Sequence, residues 1–307
     1  MTEEPVELTI PVGTQIVVQA EAHGPDGALL CRPGGVGVII GGPDGPGEPY
    51  RIQLPSGAVV LLARHELRIR KHAQRDAALP QPPDPAELWP HIIYSCVVGS
   101  RAYGLDSAES DTDRRGIYLP PADLHWSLAG VPEQLENRER DECFWELQKF
   151  LTLALKANPN VLECLHTPLV EHATPLAQEL LDARAIFLSR QIYQTYNGYV
   201  MSQFKRMEQD LRTVGQIRTK HAMHLIRLLL SGITALREGF VPVRVDQHRA
   251  ALLAIKRGEM PWEEVNRWRL ELHRVFDEAF AATRLPDHPD YARADAFLVR
   301  ARREMAR

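Results

Sequence analysis

The chain has no apolar run approaching the roughly 18 residues that a membrane-spanning helix needs, so no membrane partner is expected. Its opening, MTEEPVELTI, is acidic and has no apolar signal-peptide core. Cysteine is scarce. Cys31, Cys96, Cys143 and Cys164 stand far apart with no C-x-x-C pair, which argues for buried reduced thiols rather than disulfides or a zinc site, and for a cytoplasmic address. Charge of one sign is not in excess either. A net charge of −4 excludes a surface that binds polyanions wholesale, so any nucleic-acid contact must come from a local basic patch. Internal repeats are absent, and low complexity is confined to one Pro-rich segment.

What is present is the balance of a globular protein: 307 residues, 44% hydrophobic and 25% charged. That length suits two domains, or one domain with an appendage. Residues 1–72 read as all-β, because ELTIPVGTQIVVQAEA, GVGVII, YRIQL and AVVLLA are short β-branched runs between Gly/Pro-rich turns. A small SH3-like β-barrel is expected there. GGVGVIIGG has the glycines of a dinucleotide loop but no helix opening on them, so that reading is rejected. Residues 73–86, AQRDAALPQPPDPA, form a linker. The continuous apolar run in LWPHIIYSCVVGS is a strand buried on both faces. Past residue 145 the spacing turns helical, with Asn158-Pro159 able to cap one helix and open the next. The fold class expected is α+β: the barrel, an α/β core over 87–165 with a mixed sheet, and a helical C-terminal domain over 166–307.

The stretch that carries chemistry is VVGSRAYGLDSAESDTDRRGIYL, residues 97–119. Gly99 has no Cβ, so an anion can approach the backbone closely, and Ser100 adds a hydroxyl donor at the same turn. Downstream, strand alternation sets Asp111 and Asp113 on one face. Two carboxylates so placed repel each other, and a divalent metal resolves the conflict. A phosphate cradle beside metal-binding aspartates points to phosphoryl or nucleotidyl transfer. A third carboxylate would complete the set. Asp141, leading into the strand-like Cys-Phe-Trp, is favoured, and Glu139 on the same alternation is its alternative.

These residues resemble the polymerase-beta superfamily of nucleotidyltransferases, and more narrowly the RlaP-type predicted nucleotidyltransferases, a bacterial and phage group associated with RNA ligase. NPNVLECL at 158–165, KHAMHLIRLL at 220–229 and RLPDHPD at 284–290 extend the likeness, which covers about residues 88–300. Two departures stand out. Thr112 and Arg114 flank Asp113 where the superfamily has apolar residues, and Asp141 sits between Arg140 and Glu142. The resemblance implies a mixed sheet and a helical domain closing over an NTP. It implies two magnesium ions, replaceable by manganese, on Asp111, Asp113 and Asp141, with Gly99 and Ser100 on the terminal phosphates. It also implies an EC 2.7.7-type enzyme that moves NMP from an NTP such as ATP to a hydroxyl, releasing pyrophosphate. RNA is the implied acceptor, in end repair or terminal addition, with an RNA ligase or other repair protein as partner. The rivals are a protein- or small-molecule-modifying nucleotidyltransferase and a non-catalytic NTP-binding module.

In the helical part, Lys220, His224 and Arg227 fall at i, i+4 and i+7. With the resemblance, this stripe is read as facing the cleft and gripping the triphosphate, Lys220 foremost and His224 beside it. Without it, a solvated face is the better reading. His221 and His224 have metal-ligand spacing but no further ligand cluster, and a zinc site is declined. Tyr193, Tyr196 and Tyr199 are assigned to core packing rather than base stacking. Arg101, adjacent to the cradle, is the arginine expected on phosphate, ahead of Arg114 and Arg115. Glu163 is a candidate brace, and Lys205, Arg206, Arg212 and Arg218 form a loose basic set.

Overall fold

The computed structural model describes residues 9–25, 27–43, 45, 48–76, 81–215 and 217–306. The chain divides into two compact units, Met1–Gln81 and Pro82–Arg307.

The first unit holds strands β1 (Gln15–Val18), β2 (Ala22–His23), β3 (Leu29–Cys31), β4 (Val36–Gly41), β5 (Tyr50–Gln53), β6 (Val59–Leu62) and β7 (Leu67–Ile69), then helix α1 (Arg70–Asp76). Five of them form an antiparallel sheet in the order β6-β5-β4-β1-β7, while β2 and β3 make a separate ribbon. Alternation works as the β-branched runs demand: in β5, Tyr50 and Ile52 point inward while Arg51 and Gln53 are exposed. Ile16, Val18, Ile39, Ile52 and Leu67 form this unit's own core. The expected barrel does not close, since β6 and β7 end the sheet unpaired with each other among the described residues. Of the expected linker over 73–86, residues 77–80 lie outside the described residues. Helix α1 runs into it as far as Asp76, and α2 (Pro85–Leu88), capped by Asp84, starts before its end.

In the second unit, β8 (Ile92–Val98), β9 (Asp113–Tyr118), β10 (Gln134–Asn137), β11 (Glu142–Glu146) and β12 (Val170–Ala173) form a mixed sheet in the order β10-β11-β9-β8-β12. Among the described residues of this sheet, only the β9–β11 pair is parallel. A short helix α3 (Gly99–Tyr103) follows β8 directly, and α4 (Ala122–Trp126) follows β9. Helices α5 (Leu147–Leu155), α6 (Pro159–His166) and α7 (Pro175–Asp182) come next. Asn158 caps α6 by accepting the amides of Asn160 and Val161, with Pro159 at its first position. The helical portion comprises α8 (Gln191–Val214), α9 (Thr219–Glu238), α10 (Arg249–Arg257), α11 (Trp262–Ala282) and α12 (Tyr291–Glu304). Sheet and helices share one apolar core, in which Tyr94, Cys96 and Ile117 meet Phe150, Leu162, Ile226, Leu229 and Phe276. Among the described residues, no helix is long and apolar enough to cross a membrane. All four cysteines are free thiols, with Cys96 and Cys164 buried.

Candidate active site

The antiparallel register of β8 and β9 places Val98 opposite Asp113. Gly99, the next residue, therefore lies against the Asp113 carboxyl. A Cβ at Gly99 would stand 2.1 Å from Asp113 Oδ2, and the backbone there has φ +68°, so this turn admits no side chain on either count. The parallel register of β9 and β11 then sets Glu142 opposite Arg114 and brings Asp141, one residue earlier, beside Asp113. The Asp141 carbonyl accepts the Arg114 amide at 3.0 Å, and its own φ of 51° is left-handed, a conformation Asp tolerates better than most residues. Two separate registers thus deliver one acid pair.

Electrostatics mark the pair. Burial, a hydrogen bond with Asp141 and that residue's charge push the Asp113 carboxyl up to about 6. Asp141 is held below its ordinary value, first by the same hydrogen bond and then by Arg115. Below about pH 6 the pair therefore holds one proton, with Asp141 the ionised partner, and above it both acids carry charge. Arg115 donates to Asp141 Oδ1 at 2.9 Å and lies 3.8 Å from Asp113 Oδ1.

Around the pair opens a cleft of about 490 Å³ whose lining includes Gly99, Ser100, Asp111, Asp113 and Asp141 from the sheet side and Lys220, Met223 and His224 from α9. Of the favoured metal and nucleotide residues (Gly99, Ser100, Arg101, Asp111, Asp113, Asp141, Lys220 and His224), all but Arg101 line it. Arg101 instead donates to the carbonyls of Ser110 (2.6 Å) and Asp111 (3.2 Å), which shapes the loop that carries Asp111. Asp111 precedes β9 rather than lying on it, so it reaches the cleft from the loop and not by strand alternation. Glu139 lies in the exposed turn before β11 and does not line the cleft, because alternation does not run through a turn.

The α9 stripe divides. Lys220 and His224 face the cleft, and burial, followed by the charges of Arg227 and Lys220, drops the His224 imidazole to about 3. It is neutral and offers a hydrogen bond, not a charge. Arg227 is 4% exposed and turns inward. Its guanidinium lies 3.8 Å over the Tyr103 ring and bonds Glu163 at 2.5 Å, while the Tyr103 hydroxyl donates to the other Glu163 oxygen at 2.7 Å. Glu163, the candidate brace, does brace.

Other candidates have structural partners. Tyr196 is fully buried, Tyr193 stacks on Phe280, and the Tyr199 hydroxyl accepts from Asn158. His221 and Arg218 both pair with Asp210, and Arg114 grips Glu171 with two hydrogen bonds. Sequence reasoning missed Glu109, Trp145, Asn160 and Lys256 in the lining. Trp145 had a signal, since it continues the Asp141–Cys143 alternation along β11. Lys256 had none: it arrives from α10 and donates to the Leu105 carbonyl, 151 residues away.

Among the described residues no group of three His, Cys, Asp or Glu side chains is arranged as a metal centre. The donor chemistry nevertheless fits a hard divalent cation. With Glu163 matched by Arg227, four carboxyl groups (Glu109, Asp111, Asp113, Asp141) face three cations (Arg115, Lys220, Lys256) in the lining. A phosphate chain entering alone would meet excess negative charge, and the crowded Asp113–Asp141 pair offers the oxygen ligands magnesium prefers.

A family model described as "RlaP: RNA repair pathway DNA polymerase beta family" matches residues 67–300. The chain is also similar to the uncharacterized protein YcgL of Bacillus subtilis (strain 168), with 29% identity over 157 residues. That alignment covers 49% of this chain and 58% of YcgL.

Proposed function

Because the chain belongs to the RlaP family, the DNA polymerase beta family of RNA repair pathways, we propose that this cleft transfers a nucleoside monophosphate from an NTP to a hydroxyl of RNA, with release of pyrophosphate. The observation that carries the reading is the notch at Gly99, closed to any side chain and set directly against the Asp113–Asp141 pair. The terminal phosphates lie along Gly99 and Ser100, where the bare backbone permits close approach. Lys220 and Lys256 supply positive charge from the helical side, and neutral His224 donates a hydrogen bond. Trp145 and Met223 offer apolar surface to the base. Asp141, the acid that stays ionised, takes the proton of the attacking hydroxyl. Asp111, Asp113 and Asp141 would hold magnesium, as two ions with manganese as substitute, which supplies neutralisation of the triphosphate and a more acidic acceptor hydroxyl.

We read the N-terminal unit as an SH3-like module that holds the acceptor, supported by a strand order in which its last strand pairs with its first. An RNA ligase is the partner that such end chemistry would feed. Action in the cytoplasm suits four free cysteines. The test is to incubate the protein with magnesium and each α-labelled NTP, offering total RNA and protein in turn. Label on RNA that disappears in the Asp111→Ala, Asp113→Ala double variant supports the reading. Label on polypeptide would move the assignment to a protein-modifying transferase, and labelling unchanged in the double variant would discredit the site.

A further inference from the structure

Arg115 competes for the oxygens that the preceding reading gives to a cation. It follows Asp113 by two residues on β9, so both side chains leave the same face of the strand. Its side chain is 23% exposed and its fork is fully engaged. Nη2 meets Asp141 Oδ1 at 2.9 Å and Asp113 Oδ1 at 3.8 Å, while Nη1 donates to the carbonyls of Arg114 at 2.8 Å and Asp141 at 2.6 Å. Lys220 also lowers both carboxyls, but it does so through space, by charge alone.

A guanidinium and a divalent cation answer the same need at Asp113 and Asp141, and both cannot take the same oxygens. The fork meets the acids with one diffuse charge and a single directed hydrogen bond, to Asp141 Oδ1, while its other nitrogen is anchored on backbone carbonyls. A cation arriving alone must break those contacts before it binds. Phosphate is the guanidinium's other natural partner, since its oxygens accept the same planar pair of N–H groups. A nucleotide seated on Gly99 and Ser100 brings such oxygens to the same cleft.

We propose that Arg115 is an exchangeable counter-ion of the acid pair: it holds Asp113 and Asp141 until the phosphates of a nucleotide draw it away, so that nucleotide and divalent cation bind cooperatively. The proposal rests on the nucleotidyltransferase reading of the cleft. It assigns Arg115 a positioning role between two ligands, and it makes the site selective for a cation that arrives with a nucleotide.

The experiment measures Mn²⁺ binding to the full-length chain by the electron paramagnetic resonance signal of free Mn²⁺, with and without a non-hydrolysable ATP analogue. Arg115→Gln is expected to bind Mn²⁺ alone about tenfold more tightly than the unaltered protein and to gain correspondingly less from the analogue. Arg115→Lys, which keeps the charge and loses the fork, should fall between them and covers the case in which the Gln variant does not fold. Lys220→Gln removes a charge that both acids feel without breaking a hydrogen bond to either, so its effect should stay below about threefold. Equal Mn²⁺ affinity with and without Arg115 overturns the proposal while leaving the site intact. An effect of Lys220→Gln equal to that of Arg115→Gln also overturns it, because charge alone would then suffice. Absence of Mn²⁺ binding in every protein, even with the analogue, overturns the reading of the cleft together with the proposal.

Discussion

Asp113 carries a cost that the rest of the sheet must bear. An aspartate in the unfolded chain titrates near 3.8, whereas burial and Asp141 push Asp113 up to about 6 in the folded state. Between those two values the folded protein keeps a proton that the unfolded chain has released, so stability falls as pH rises through this window and stays lower above it. Asn at 113 reproduces the protonated acid, because its amide can donate to Asp141 and cannot ionise. Asp113→Asn is therefore expected to melt a few degrees above the unaltered protein at pH 7.5, with the gap closing by pH 4. Thermal unfolding at both values checks this, and a gap independent of pH would mean that the pair shares no proton. Gly99→Ala tests the neighbouring residue. Its Cβ would drive into Asp113 Oδ2 from a backbone at φ +68°, so a loss of about 1–3 kcal/mol in urea unfolding is expected, along with loss of nucleotide binding in a fluorescent-analogue titration. Both residues are legible in the sequence, because Gly-Ser after an apolar strand and Asp-x-Asp before another is a pattern with local causes. The contacts of Arg115 are not, since they depend on Asp141 arriving from a strand 26 residues on.

At the scale of elements, three helices meet behind the cleft. Tyr103 ends α3, Glu163 lies in α6 and Arg227 in α9, and the ion pair joining the last two is 2% and 4% exposed. Since α3 begins at Gly99, whatever fixes Tyr103 also fixes the phosphate notch. Breaking one partner of such a pair leaves a buried charge uncompensated, which costs about 3–5 kcal/mol. Arg227→Met should therefore lose that much in urea unfolding, and adding Glu163→Gln should recover a large part of it. Failure of the second change to recover stability would show that Arg227 acts through packing on Tyr103 instead. The sequence spacing grouped Arg227 with Lys220 and His224, which is correct for the helix and incomplete for the protein. Helix α9 starts at the cleft rim and runs into the core, so residues on one stripe end in different surroundings. Glu139 misled for a related reason, as period-two reasoning was carried across a turn. Lys256 could not have been found by any local pattern, because its place at the cleft is set by how α10 packs against the loop after α3.

The whole molecule is two units, each with a core of its own. All residues lining the cleft fall between Val98 and Lys256, inside the second unit, whose length is within the usual domain range of about 50–250 residues. The family match nevertheless begins at residue 67, within the first unit's last strand and helix. These two facts make separable demands. If the cleft depends only on its own unit, residues 82–307 expressed alone should unfold in one cooperative urea transition and bind a fluorescent ATP analogue within about twofold of the full chain. If the first unit holds the acceptor, the same fragment should label RNA about tenfold less efficiently at limiting RNA and recover at saturating RNA, a change in KM with kcat preserved. Loss of nucleotide binding in the fragment would place part of the nucleotide site's support before residue 82, and the family match from residue 67 would then mark a functional boundary. Unchanged RNA labelling at every concentration would instead remove the acceptor from the N-terminal sheet and leave the cleft's own cations, Arg115, Lys220 and Lys256, as the groups to which the RNA must answer.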